Sequence, residues 1–418
     1  MLKASSLYMV IIIALVISLI CSALISAAYF YRSQYQLHFQ YDRLINNCNS
    51  GIQILLNNTD SSYREPQSLS FSGASTDSVI LQKYPWGIFD IGVIKTFSHR
   101  DTLWRVFSIA NQVDSSKWSS IYLIDEDRPL SLSGKTSIQG DARLPKAGVK
   151  TAYLDNQSYS GDEQLVKGHI YDSDRQLPPL AGPRLEMIKH LFRAPADNSG
   201  RPGPSAGATR SFRLPTRVIR LEAQATLQNA SFNGNLILYS DTTLTIDSTV
   251  SLENVIVVAK SIQVKSGFHG HCQLYATDSL SVGGNCHFTY PSCLALVRNT
   301  SGVTDLPGKI SLGEHSSLAG LIFTYEKQSS KLPPVISLAK NAVVSGQVYS
   351  QGILSLKEGV TIRGSVMTSR FLYQNSITSY ENYLVNTRID MTALSRYYLS
   401  SNLSPSAGAT QHILQWLK

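Results

Sequence analysis

The sequence predicts a mainly β protein: an N-terminal transmembrane helix, a small antiparallel sheet, then a parallel β-helix (solenoid) with an insertion and a C-terminal helical cap. Three observations predict it. The first is a phrase, apolar-any-Gly-any-apolar, that returns as Ile138–Ala142, Phe232–Leu236, Phe268–Cys272, Leu318–Ile322, Val344–Val348 and Ile362–Val366. Period-two alternation makes each copy a strand with one buried face, and the central Gly suits a bend or a close backbone approach. The second is its spacing: the step from Gly346 to Gly364 suits one turn of a solenoid and is too long for a hairpin. The third is an uncharged apolar run from Leu7 to Phe30, long enough to span a bilayer as a helix.

The helix is expected over residues 1–57. Beyond the run, Tyr35, Leu37, Tyr41, Leu44, Ile45, Cys48, Ile52, Leu55 and Leu56 recur at three- and four-residue steps with no Pro between them, so one helix continues from lipid onto a packed domain. Lys3 precedes the run and Arg32 and Arg43 follow it. A short cytoplasmic tail, an uncleaved anchor and an exported body form the simplest topology, since the run exceeds the apolar core of a signal peptide. Residues 58–126 read as a small antiparallel sheet, with strand-like runs at 79–81, 88–97, 103–109 and 121–124.

First coils are expected over 127–174 and the main coil over 225–370. The phrases Leu130-Ser131-Leu132, Ile310-Ser311-Leu312, Ile336-Ser337-Leu338 and Leu354-Ser355-Leu356 mark a second strand per turn. In the middle, Ile237-Leu238-Tyr239, Ile256-Val257-Val258 and Leu274-Tyr275-Ala276 line up at nearly the same step as the glycines. Stacked turns of this kind bury one apolar ladder that no single repeat could bury alone. A β-sandwich of short strands is the alternative these signals leave open. Between the coils, residues 175–224 form an insertion: Gly182-Pro183 can start a helix through Phe192, and a Pro-, Gly- and Ser-rich loop follows from Ala194 to Thr209. From 371 to 418 the pattern fades into helical spacing at Tyr380–Leu399 and a short amphipathic end at His412–Lys418, which would cap the last coil.

The anchor and its continuing helix resemble the minor pilins and pseudopilins of type IV pilus and type II secretion machines in architecture over roughly the first sixty residues. That family places a Gly before the apolar run and a Glu five residues after it, whereas this chain has Ala4-Ser5-Ser6-Leu7-Tyr8. The Gly-punctuated coils resemble bactofilin-like parallel β-helix proteins. The resemblance implies an accessory subunit of a pilus-like or secretion machine in the bacterial inner membrane, with the body extracytoplasmic.

The chain is 43% apolar and 16% charged, which excludes a disordered protein. No nucleophile elbow, zincin helix or dinucleotide fingerprint occurs. His269, His271, Cys272, Cys286, His287 and Cys293 crowd together, yet if Phe268 and Cys272 point inward the imidazoles point outward, so the cluster predicts no metal site. A Cys272 to Cys293 disulfide between neighbouring coils stays open. The carbohydrate-cleaving chemistry of other β-helices needs positioned carboxylates, and outward positions offer only scattered Asp241, Asp247 and Asp278. No catalytic residue, metal or cofactor is expected, and the protein reads as non-enzymatic. The formal charge of +8 draws on basic residues concentrated in the insertion: Arg184, Lys189, Arg193, Arg201, Arg210, Arg213, Arg217 and Arg220. Of these, Arg193, Arg201, Arg210, Arg213, Arg217 and Arg220 are the candidate contacts for an anionic polymer, polysaccharide or DNA. The other expected partners are the inner membrane and further envelope subunits.

Overall fold

The computed structural model describes residues 4–58, 60–71, 77–98, 101–193, 207–298, 306–327, 332–375 and 377–417. The chain divides into two compact units: residues 1–84 with 92–105, and residues 85–91 with 106–418.

In the first unit one helix, α1 (Ala4–Asn57), runs unbroken for 54 residues. Its side chains from Leu7 through Tyr41 are almost all exposed, while Leu44, Cys48, Gly51, Ile52 and Leu55 are buried. Their three- and four-residue steps place them on one stripe of the helix. That stripe meets the sheet: a Cβ added at Gly51 would lie 2.8 Å from Leu81 Cδ2 and 3.4 Å from Ile94 Cγ2, so Gly here permits close packing of helix on strand. The helix ends on Lys83, whose ammonium donates to the carbonyls of Leu55 (2.7 Å) and Asn58 (2.8 Å), satisfying acceptors that a helix C-terminus leaves without partners. Strand Gln67–Leu69 pairs antiparallel with Val79–Leu81.

The second unit is built on parallel pairings. Three apolar ladders run through it. One climbs from Ala208 through Phe232 to Leu252, and continues on the next strand from Gly270 through Phe288, Leu318, Val344, Ile362, Ile389 and Ile138 to Val166. A second passes Ile219, Leu238, Val257, Leu274, Leu294, Ile322, Val348, Val366, Ile121 and Ala142 to Ile170. The third joins Leu244, Ile262, Leu280, Ile310, Ile336, Leu354 and Phe371. Nearly all of these side chains belong to one buried cluster, which supplies the hydrophobic driving force for the unit.

The order of the rungs departs from the order of the chain. Strand Ile121–Leu123, expected in the small antiparallel sheet, instead pairs parallel with Val366–Thr368, and Ser137–Gln139 pairs parallel with Arg388–Asp390. Strands of residues 121–172 therefore extend the ladders beyond residue 390, and the rung of residues 208–227 forms the opposite end. Pairing between segments so distant along the chain has no local signature, because it depends on two exposed edges meeting rather than on a repeat length.

The C-terminal helical cap is a correction. Residues 379–381, 383–385, 388–390 and 399–400 are short strands, and Ala407–Leu417 is a strand lying antiparallel on residues 106–113. The apolar residues that mimic helical spacing here serve edges and turns: Leu384 pairs with Leu132, and Trp416 packs edge-on to Phe107 at 5.5 Å.

Candidate functional site

In the parallel strands the residues that alternate with the core ladder face the other side of the sheet. Gln273, Tyr275, Cys293, Gln347, Tyr349 and Met367 are nevertheless buried, because further chain covers them. Trp86–Ile91 lies over Gln273: the Ile88 amide donates to Gln273 Oε1 (3.0 Å), Tyr275 donates to the same oxygen (2.6 Å), and Gln273 Nε2 donates to the Trp86 carbonyl (3.3 Å). Residues 400–406 cover Gln347, whose amide donates to Ser404 Oγ and Ser406 Oγ and accepts from Ser400.

The helix expected at Gly182–Phe192 forms as α2 (Gly182–Leu191), with Pro183 at its start, where a missing N–H costs nothing. Arg184, Leu185, Ile188 and Lys189 make its buried face. The Arg184 guanidinium is 8% exposed and donates to Asp90 (2.6 Å) and to the carbonyl of Phe89 (2.9 Å), while Asn402 donates to the second Asp90 oxygen (2.6 Å). A buried charge pair is tolerated only when its donors and acceptors are met in this way.

Beside α2 lies a groove of about 580 Å³, lined among others by Arg175, Glu186, Lys189, Tyr325, Gln351 and Ser369. The Lys189 side chain is only 6% exposed. Its ammonium donates to Glu186 Oε1 at 2.6 Å and to the Tyr325 hydroxyl at 3.4 Å, and it lies 4.8 Å from the centre of the Tyr325 ring. Glu186 is 64% exposed. The hydrogen bond from Lys189 is the main cause that holds the Glu186 carboxyl below the usual range; burial opposes it, and the charges of Lys189, Lys327 and His190 add to the lowering. Arg184 and Lys189 belong to the basic residues of the insertion but not to the six candidate contacts. Their steps along the helix, next to Leu185 and Ile188, are the signal that places them on its buried face.

The six candidate arginines do not share one element. Arg193 stands exposed just after α2, and Arg201 lies outside the described residues, as does the loop from 194 to 206. Arg210, Arg217 and Arg220 lie on the strands of the end rung, with exposed Arg213 between them. Arg210 Nε donates to the Pro215 carbonyl (3.1 Å), and Arg220 pairs with Asp241 at 3.0 Å.

The histidine and cysteine cluster splits as alternation requires. Phe268 and Cys272 are in the core, and the rings of His269 and His287 stack outside it with centres 4.8 Å apart. Among the described residues no group of three His, Cys, Asp or Glu side chains is arranged to hold a metal. All five cysteines are free; Cys272 faces the core cluster while Cys293 faces Tyr275 on the other side of the sheet, so the open disulfide pairing is not made. Burial pushes both thiols up, leaving them protonated at neutral pH. Asp241, Asp247 and Asp278 each face a cation, Arg220, Lys265 and Lys260 respectively, rather than one another. Hydrogen bonds, first from Lys265 and then from Thr249, bring Asp247 down to about 2. Comparison with family models, with curated proteins and with solved structures finds no match.

Proposed function

We propose that this is a non-enzymatic, single-pass protein of the bacterial cell envelope that displays a rigid parallel β-helix outside the inner membrane for other envelope subunits to bind. The observation that carries the reading is the division of labour along α1. One uninterrupted helix has an apolar, exposed first half, long and apolar enough to cross a membrane, and a second half whose buried stripe packs on a sheet. Exposed Leu, Ile and Val over successive turns are unfavourable in water and favourable in lipid. About 36 Å of helix between Leu7 and Phe30 matches the thickness of a bilayer core with modest tilt.

The three ladders support the coil. Partners a single short repeat apart, such as Gly346 and Gly364, with parallel pairing along each ladder and one shared core, are what winding in one sense produces. A stiff surface without a catalytic constellation among the described residues suits recognition or assembly rather than turnover. The pilus-like or secretion assembly is the partner class that the helix resemblance suggests.

Membrane fractionation of cells expressing the full chain tests this. The protein should stay with membranes through alkaline carbonate washing and leave only with detergent, and its body should be cut by protease added to spheroplasts. Recovery in the soluble fraction, or a body protected from external protease until the membrane is broken, overturns the proposal.

A further inference from the structure

The groove beside α2 is large enough for a small molecule, for which space begins at about 300 Å³, and it has a buried charge in its floor. We propose that it binds a small carboxylate-bearing ligand, whose acid takes the place of Glu186 on the Lys189 ammonium. The proposal does not depend on the membrane reading.

A lysine whose side chain is 6% exposed needs an anionic partner, because an ammonium desolvated without one is strongly unfavourable. Its partner here is a carboxylate three residues earlier on the same short helix. Glu186 is mostly in solvent, so its own hydration is largely kept, and its departure from the ammonium costs little only when another anion takes its place. An exposed, exchangeable carboxylate on a buried cation behaves as an internal counterion. The surroundings favour an anion: Lys327 and His190 act on Glu186 with the same sign as Lys189. The lining supplies the other contacts a small polar ligand needs. The Tyr325 hydroxyl already lies within 3.4 Å of Lys189, the Gln351 amide and Ser369 hydroxyl stand on neighbouring strands, and Leu177, Leu180 and Leu185 give apolar wall. Gln351 is itself fixed, accepting from the Glu326 amide at 2.7 Å, and Ser369 donates to the Gln351 carbonyl at 2.8 Å, so this side of the groove is preorganised.

Two sources share this chemistry, a free organic acid and an acidic sugar. Isothermal titration of the full detergent-solubilised chain with succinate and with digalacturonate distinguishes them, with neutral digalactose as control. At least one acid should bind, with affinity falling as salt rises, and digalactose should not. Lys189→Met, which keeps the apolar stem, should weaken binding by about tenfold or more, the loss expected for a charge-assisted hydrogen bond. Glu186→Gln should tighten it several-fold by removing the competitor. Thermal unfolding checks that each variant is folded, and if Lys189→Met is not, the tightening by Glu186→Gln decides alone. Absence of binding by both acids to wild type and to Glu186→Gln, equal binding of the neutral sugar, or affinity unchanged in both variants overturns the proposal.

Discussion

Gly346 and Gly270 hold the same place in the same five-residue phrase, yet they are glycines for different reasons. Gly320, Gly346 and Gly364 stack in register at φ near +140°, and a Cβ at Gly346 or Gly364 would fall on the carbonyl oxygen of the glycine one rung before. Backbone lies against backbone there, and only Gly fits. Gly270 has no positive φ, and the space beside it is taken by the Phe268 ring, 2.5 Å from an added Cβ. The register breaks right beside it, between Gly270 and Gln273, and also between Glu253 and Val255 and between Phe288 and Ser292, whereas around Gly346 it runs unbroken from Val343 to Ser350 and shifts only between Ser350 and Ile353. Rungs near residue 346 are thus dictated by main-chain stacking, whereas rungs near residue 270 depend on side chains, the Phe268 ring inside and the Trp86–Ile91 cover outside.

The contrast is broken or sharpened by substitution. Gly346→Ala carries the largest expected effect, more than about 4 kcal/mol lost in urea unfolding, because strained φ and a main-chain clash act together and neither neighbour can rotate away. Arg184→Met comes next. It leaves Asp90 buried with Asn402 still donating to it, and should cost about 3 kcal/mol while loosening the cover over Gln273, read as faster proteolysis at residues 85–91. Gly270→Ala should cost only about 1–2 kcal/mol, since a ring can shift, and Phe268→Leu in the same chain should recover much of it. Equal losses for Gly346→Ala and Gly270→Ala would abolish the distinction.

The smallest effect is in pH. Burial holds His271 below the ordinary histidine range, only partly offset by a hydrogen bond involving Pro291. The unfolded chain then binds the proton more readily than the folded one. The contribution is complete above the ordinary histidine value near 6.5 and is lost as pH falls below it, so the melting temperature should drop between pH 7.5 and 5.5 more in wild type than in His271→Gln.

Much of the architecture was legible. The three- and four-residue steps from Tyr35 to Leu56 marked the continuation of α1, but only the stretch from Leu44 to Leu55 is packed, Tyr35, Leu37 and Tyr41 being exposed; the Gly and Ile-Ser-Leu phrases located the parallel-paired strands from 310 to 372 because each lies only a short stretch of chain from its partner. The helix at 182–191 was legible from Gly182-Pro183. The C-terminal residues misled, since apolar positions in short strands and turns fall by accident at helical steps. The candidate arginines were chosen for density of charge, but charge density carries no distance, and Lys189 became notable only once Tyr325 stood beside it.

By itself the sequence determined the local periods: a 3.6-residue stripe along one long helix, a two-residue alternation in the strands, and the glycines at 320, 346 and 364, where main chain presses on main chain. Tertiary structure alone decided that residues 121–172 extend the ladders past residue 390, that Arg184 meets Asp90, and that Lys189 lies buried with an exposed carboxylate. Periodicity is a property of neighbours along the chain, whereas the meeting of distant edges and charges depends on which burial leaves the fewest polar groups unpaired, a condition no short stretch of residues can express.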